Sequence, residues 1–444
     1  MSGTFPASIV VVGGGASGII LAAHLMRHDP PPRVTVIERR PVLGQGIAYS
    51  TPLPEHVLNV GAFGMSALAD EPRHFVDWLE ARSLADPHGA PFYAPRYLYG
   101  RYLNDLSQEL RGRGLTVLSG EIVGLSETLA GVEARLADGL SAVGQICVLA
   151  TGHSEQPAAE LAPAMRIGSA ADGFLDPDAR VLILGTGLSM VDALLTLDHR
   201  GHRGEVIALS RRGLLPMPHR VGHPFRLDVA DIPLGTSLHY FVHWFRDFVR
   251  STEAEGGNWR DAVDGLRPYN QLIWQNWTAS SKRRFLELTK AWWDIHRHRM
   301  APEIHARVTA ALATGRLRLV AGRVDRIGGD DGHYDVEILH RASHAQERLS
   351  VARVYDCTGI AKNVGESSNP VVRALIAGGL GRPDPLGIGL DVTPGCQVIG
   401  RGGEVSQRLF AVGPLTRGTF FEIEAIPDIR AQCKGLASAL LPSD

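Results

Sequence analysis

One local pattern occurs twice in this chain and fixes most of what it can fold into: an apolar strand that runs straight into a glycine turn and then a helix. Residues 8–18 read Ser-Ile-Val-Val-Val-Gly-Gly-Gly-Ala-Ser-Gly, with Gly13, Gly15 and Gly18 in G-x-G-x-x-G spacing before an apolar helical stretch at 19–26. Residues 181–192 repeat the plan, with Gly185 and Gly187 in the first two positions and Met190 where the third glycine would stand. A second apolar strand follows each turn and ends at Glu38 in one copy and Ser210 in the other, 25 residues past the first glycine in both. The parallel extends further: residues 115–125 are echoed by 317–327, and each copy closes on an apolar strand ending in Thr-Gly, at Thr151-Gly152 and Thr358-Gly359. Such alternation predicts an α/β protein built of two related units.

A strand, a tight glycine turn and a helix start are what a pyrophosphate needs. Glycine lets the backbone come close, and the helix end offers free N–H groups and the positive end of its dipole. The fold class expected is therefore two Rossmann-like dinucleotide-binding domains with antiparallel meanders. The strand ends differ in chemistry. Glu38 is placed to accept hydrogen bonds from ribose hydroxyls. Ser210, Arg211 and Arg212 offer a hydroxyl and two guanidiniums, which suit a 2′-phosphate that a carboxylate would repel, so NADP(H) is favoured over NAD(H) in the second copy. The competing reading of Arg211 and Arg212 is a solvated loop in a protein whose Lys+Arg total of 45 includes only four lysines.

The strand at 409–412, its glycine turn at Gly413-Pro414 and a helix at about 427–440 are expected to rejoin the first unit. This gives a discontinuous first domain, 1–165 plus 351–444, around a second domain of 166–350 with a helical insertion at about 213–310. Residues 285–295 and 302–313 have helical apolar spacing. Six of the seven tryptophans lie in that insertion, where they either build a small core or line a substrate site.

Other classes recede. The formal charge of −2 suggests no nucleic-acid partner. No run of about 18 apolar residues suggests a membrane span, and the start of the chain lacks a basic leader, so a soluble, cytoplasmic protein is expected. Four scattered cysteines with no C-x-x-C pair disfavour a disulfide scaffold, a zinc site and a dithiol redox centre. The i,i+4 pairs His219/His223 and His239/His243 lack a third ligand at a recognisable spacing, and no metal is expected.

The runs Gly44-Gln-Gly-Ile-Ala-Tyr-Ser, His56-Val-Leu-Asn-Val, Met65-Ser, Asp70-Glu-Pro-Arg-His-Phe-Val-Asp-Trp-Leu and Gly413-Pro-Leu-Thr-Arg-Gly-Thr-Phe-Phe-Glu-Ile resemble those of bacterial FAD/NAD(P)-binding proteins, over nearly the whole chain. Through short patterns only, the sequence is also similar to the flavin-dependent N-hydroxylating monooxygenases. The resemblance implies FAD on the first unit and NADPH on the second. It places FAD against Gly13, Gly14, Gly15, Ala16, Ser17, Gly18, Glu38, Arg39, Gly46, Tyr49, Met65, Thr151, Gly152, Gly413 and Pro414, with the adenine at the Val123 backbone and Asn59 near the isoalloxazine edge. NADPH is placed against Gly185, Gly187, Leu188, Ser189, Ser210, Arg211 and Arg212. Asn59, His56 and Arg417 become the candidate catalytic residues, with Tyr49, Met65 and Phe420 beside them. Two features depart from the relatives. No lysine precedes Lys282, where siderophore-type amine hydroxylases carry one shortly after the Leu-Gln step, and the aromatic-His-Trp-Pro fingerprint of Baeyer–Villiger enzymes is missing.

The leading expectation is an NADPH-dependent FAD monooxygenase in which a C4a-peroxyflavin passes one oxygen of O₂ to a small nucleophilic nitrogen or sulfur substrate. The cofactor carries such chemistry, so the lack of a catalytic triad or carboxylate pair is no obstacle. The alternatives are a reductase or dehydrogenase using the same two cofactors, and a non-catalytic flavin redox sensor. The oligomeric state is left open.

Overall fold

The computed structural model describes residues 6–84, 92–153, 163–169, 172–330, 332–359 and 363–441. The chain forms two compact units, one of Met1–Gln156, Pro268–Lys282 and Ile360–Asp444, the other of Pro157–Arg267 and Arg283–Gly359. The sequence expectation puts the outer boundaries at 165/166 and 350/351. The segment 268–282 does not follow it: it lies inside the expected insertion of the second unit yet folds with the first.

The chain starts with β1 (Ser8–Val12), α1 (Ala16–Leu25) and β2 (Arg33–Glu38). It continues through α2 (His74–Glu80), α3 (Arg96–Gly112), β3 (Thr116–Ser119), β4 (Ile122–Thr128), β5 (Gly131–Leu136), β6 (Ser141–Gly144) and β7 (Ile146–Leu149). The second unit opens with β8 (Val181–Leu184), α4 (Leu188–His199) and β9 (Val206–Ser210). Its helices are α5 (Leu238–Ala254), α6 (Trp259–Leu266), α9 (Lys290–Arg297) and α10 (Pro302–Ala313), interrupted by α7 (Asn270–Asn276) of the first unit and by α8 (Ala279–Arg284) at the boundary. Its strands β10 (Leu317–Asp330), β11 (His333–His340), β12 (Gln346–Val351) and β13 (Arg353–Asp356) follow. The chain ends in α11 (Pro370–Ala377), β14 (Gln397–Ile399), β15 (Val405–Ala411) and α12 (Ile426–Leu440), all in the first unit.

The first unit's main sheet has the order β14-β15-β7-β1-β2-β3, parallel except for the β14/β15 pair. Strands β1 and β7 are apolar and buried almost throughout, as strands covered on both faces must be. The second unit's sheet has the order β12-β11-β10-β9-β8-β13, with β10, β9, β8 and β13 parallel and the β10-β11-β12 meander antiparallel.

The two copies share a start but not a finish. Gly13 and Gly185 have φ of 106° and 107°, and the caps Gly15 and Gly187 have ψ of −167° and −166°. Downstream, the second copy runs through one 14-residue strand, β10, into its meander. In the first copy the chain breaks at Gly120, whose φ of 157° suits glycine, and β4, β5 and β6 form a separate three-stranded sheet. A Cβ at Gly120 would stand 2.6 Å from Leu136 Cδ2, so this crowded corner also needs glycine.

In the helical region both expected stretches are helical, one of them with a local irregularity. Residues 302–313 are helical, but 285–295 begins as a π-helical turn, Phe285–Thr289, before α9. The tryptophans do not share one core. Trp274 and Trp277 are buried in the first unit, whereas Trp244 stacks on Phe248 and Trp293 meets Phe245 edge-on in the second. Among the described residues no helix is long and apolar enough to cross a membrane, and no group of three or more His, Cys, Asp or Glu could hold a metal ion.

Candidate cofactor-binding sites

In the first unit the glycine turn leaves the C-terminal end of β1, the edge at which parallel sheets bind ligands. Gly13 N–H donates to Ile37 O at 2.9 Å, tying the turn to β2. A Cβ on Gly13 would stand 2.5 Å from Ala150 O, and one on Gly18 would stand 1.9 Å from Gly13 O. Neither position tolerates a side chain, and α1 is seated directly on the turn. Gly15 and Gly46 differ from these: each one's Cβ would meet little but the other's backbone, at 3.5–3.6 Å. This glycine-lined cradle beside a helix N-terminus fits a dinucleotide pyrophosphate. Ala16 and Ser17 are the first residues of α1. A Cβ on Gly413 would stand 2.5 Å from Ser17 Oγ, so the Gly413-Pro414 turn after β15 reaches the same place.

Glu38 closes the cradle. Its Oε2 accepts from Gly14 N–H at 2.6 Å and its Oε1 from Arg40 N–H at 2.9 Å. Glycine is required at position 14, where a Cβ would stand 2.9 Å from Glu38 Cβ. Arg39, expected at the cofactor, instead pairs with Glu121 at 2.9 Å. The neighbouring Arg40 faces the cradle, donating from Nη1 to Gly46 O at 2.8 Å. Both arginines lie in a bend past the end of β2, where strand alternation no longer sets side-chain direction, and position alone could not say which would find Glu121.

The remaining candidates divide. Thr151 lies beside Gly13, its Cα 3.3 Å from where a Cβ there would be, and Gly152 follows with φ of 75°. Val123 sits half-buried at the bulge where β4 meets β5. Asn59 is half-buried. Met65 is core, 2% exposed. Tyr49 packs edge-on against Tyr99 at 4.7 Å, and burial pushes its hydroxyl pKa well up, so it serves as part of an aromatic cluster. His56 is buried, with Nδ1 2.8 Å from Thr51 Oγ1.

Arg417 is held by a hydrogen bond from Nε to Ile388 O at 2.5 Å. Burial lowers its pKa, opposed by Glu424 and Asp384. Asp384 is pushed the other way, upward, by burial, although it accepts N–H groups from Leu386 and Gly389. His153, next after Thr151-Gly152, has Nδ1 4.0 Å from Glu424 Oε1, and burial lowers its pKa. Phe420 is buried.

Sequence reasoning missed what braces this loop. Trp274 of α7 donates from Nε1 to Gly418 O at 2.7 Å and stacks on Phe421 at 4.6 Å, and Asn270 donates to Glu422 Oε2 at 2.7 Å. Glu422 itself has φ of 61°, an unusual conformation for a residue with a side chain.

In the second unit, Gly185 N–H donates to Leu209 O at 2.7 Å, and a Cβ on Gly185 would stand 2.2 Å from Cys357 O. Space beside Gly187 is open, and Leu188 and Ser189 begin α4 behind it. Met190, standing where Gly18 stands in the first copy, is fully buried. Among the described residues no carboxylate caps this turn. Ser210 Oγ lies 2.9 Å from Thr186 Oγ1 and accepts from Gly213 N–H at 3.0 Å. Thr186 thus meets Ser210 as Gly14 meets Glu38, a pairing that the common 25-residue offset could have revealed. Arg211 is exposed and Arg212 half-buried at the rim.

Residues 10–154 match the FAD-NAD(P)-binding family. No curated protein matches the chain in sequence. Among solved structures it is similar to the ornithine N-hydroxylase of Kutzneria sp. 744 (KtzI-FADred-NADP+-L-orn), with 15% identity, TM-score 0.67, and 98% of this chain and 99% of that one covered. It is similar to the FAD-bound cadaverine monooxygenase DfoA of Erwinia amylovora, with 12% identity, TM-score 0.68, and coverage of 99% and 95%. It is also similar to the thioredoxin reductase of Lactococcus lactis, with 13% identity, TM-score 0.53, and 99% of both chains covered. Residues 10–154 are thus an FAD-NAD(P)-binding domain, in a chain that has the fold of the two-dinucleotide-binding-domain flavoproteins.

Proposed function

We propose that this protein is an NADPH-dependent FAD monooxygenase acting on a small nitrogen- or sulfur-containing nucleophile. The observation that carries the reading is the contrast between two superimposable glycine turns, one capped by the Glu38 carboxylate and the other by the Ser210 hydroxyl beside Arg211 and Arg212. A carboxylate suits ribose hydroxyls, as on FAD. A hydroxyl flanked by guanidiniums suits the 2′-phosphate that distinguishes NADPH. Bound FAD would supply the redox chemistry, accepting a hydride from NADPH and delivering one oxygen atom of O₂.

The chain's own residues position and shield. The Gly13–Gly18 turn and α1 would hold the pyrophosphate and Glu38 the adenosine ribose, while Trp274 and Asn270 brace the 413–424 loop that follows β15. His153, kept neutral by burial, is a proton acceptor beside Glu424.

The two-cofactor reductase reading is narrowed by the thiols. All four cysteines are free, and burial pushes Cys147, Cys357 and Cys396 up to about 12 and Cys433 higher still. No thiolate is ready for disulfide exchange. A reductase would have to pass electrons to a quinone or dye.

The deciding experiment mixes the FAD-loaded protein with NADPH, first anaerobically and then with O₂ and a panel of amines and thioethers. Anaerobic bleaching of the flavin and an oxygenated product are expected. Bleaching with fast dye turnover and no oxygenated product across the panel would establish the reductase, and no bleaching at all would establish the sensor.

A further inference from the structure

Beyond Arg211 and Arg212, a third arginine reaches the same corner of the second unit from a distant part of the chain. Strand β10 pairs with β9 only over its first residues, down to Ala321 opposite Ser210, and then overruns it. The overrun forms the hairpin with β11, which returns until His340 lies opposite Gly322. The next residue, Arg341, donates its N–H to Ala321 O at 2.9 Å and so stands level with the end of β9. Its guanidinium turns back along that edge, donating from Nη1 to Arg211 O at 3.2 Å.

Three guanidiniums therefore gather at one sheet corner. No ion pair to a carboxylate is found for Arg211, Arg212 or Arg341 among the described residues. Three arginines in or beside the same sheet are compensated: Arg318 is clamped by Glu205 and Glu347, Arg316 pairs with Asp198, and Arg348 pairs with Glu337. The trio repels itself, and Arg212 is pulled below its ordinary pKa by partial burial and then by Arg211 and Arg341. Arg212 donates from Nη2 to Glu287 O and Leu288 O, each at 3.4 Å, neutral acceptors that leave the charge uncompensated, and an incoming anion would relieve the repulsion. In the first unit the corresponding corner is neutralised, with Arg39 on Glu121 and Glu38 in place of Ser210. Counted back along the first unit's hairpin from the Ile122–Leu136 pair, Arg341's place falls on Gly139.

We infer that Arg341 is a third 2′-phosphate-binding residue, carried in by the β11–β12 hairpin, and that it sets the discrimination between NADPH and NADH. The inference rests on the reading of the second unit as the NADPH site.

The test measures binding of NADP⁺, NAD⁺ and the fragment 2′,5′-ADP to the FAD-loaded protein by calorimetry, for wild type, Arg341→Ala, Arg341→Gln and Arg341→Lys. Loss of a charge-assisted hydrogen bond should weaken NADP⁺ and 2′,5′-ADP by about tenfold or more. NAD⁺ binding should be unchanged, and lysine, a point charge without the planar fork, should recover part of the loss. Equal weakening of NAD⁺ and NADP⁺ would make Arg341 a structural residue and overturn the inference, as would unaltered preference in both the Ala and Gln variants. A wild type that binds NAD⁺ as tightly as NADP⁺ would overturn the NADPH reading itself, and that outcome is distinct because it appears before any substitution.

Discussion

Replacing Gly18 by alanine puts the reading of the first glycine turn at risk with a single methyl group. The new Cβ would lie 1.9 Å from Gly13 O, and contacts under 3.0 Å are essentially never seen, so about 1.1 Å of movement is required. The obstructing atom is backbone and cannot rotate away. Helix α1 cannot simply lift, because every residue from Ser17 to Leu25 is buried. Overpacking of this kind costs typically 1–3 kcal/mol, and a backbone obstacle puts Gly18→Ala near the upper end. Alanine's better helix propensity returns at most about 1 kcal/mol, which leaves a net loss of about 2 kcal/mol. Moving α1 also spoils the N–H cradle, so FAD should be lost well before the fold is. The assay pairs urea unfolding of the flavin-free protein with FAD titration followed by flavin fluorescence. Met190→Ala at the equivalent place in the second unit is the control: it removes a buried side chain at a cost of about 2–5 kcal/mol but should leave FAD affinity intact. A Gly18→Ala protein that purifies with full FAD and wild-type stability would refute the claim that α1 is pinned to the turn.

Other expectations are as direct. Glu38→Gln keeps the shape but removes the charge that accepts from Gly14 and Arg40, and should weaken FAD binding by about tenfold or more in the same titration. Trp274→Phe keeps the stack on Phe421 but deletes the hydrogen bond to Gly418, and should cost about 1 kcal/mol, against about 3–5 kcal/mol for Trp274→Ala, by urea unfolding. Burial, with Arg27 adding to it, holds His24 at about 4 in the folded protein against 6.5 in its ordinary state. The unfolded chain therefore binds the extra proton first, so this contribution to stability is complete above pH 6.5 and is lost as pH falls toward 4, to a total of up to about 3 kcal/mol. His24→Gln should flatten that part of the stability–pH profile, and an unchanged slope would show that another group governs it.

What the sequence made legible was whatever is encoded within one βαβ step. Gly13, Gly15, Gly18 and Glu38 lie close along the chain, and their chemistry follows from a turn that only glycine can make and a strand whose end falls at a countable distance. The same counting located Ser210, and carried one step further it leads to its partner Thr186, which occupies the place of Gly14 in the second copy. Arg39 and Arg40 were beyond this logic: both follow Glu38, and only the position of Glu121, just before β4, decides which one is drawn away from the cradle. The α7 brace was further beyond it, since Trp274 and its acceptor Gly418 are 144 residues apart and Trp274 belongs to a segment surrounded in sequence by the other unit. Arg341 required the register of a hairpin as well as the strand order. These cases share a cause. The φ of Gly13 and Gly185 and the ψ of Gly15 and Gly187 each repeat between the two copies to within a degree, with φ of −72° and −83° at the latter pair, so the backbone rule is local and conspicuous. The side chains that distinguish the copies arrive from the link before β4 in one and from the turn after β11 in the other, after the chains have diverged at Gly120 and β10. Specificity in this fold is thus added at the strand ends by elements that the glycine motif does not contain.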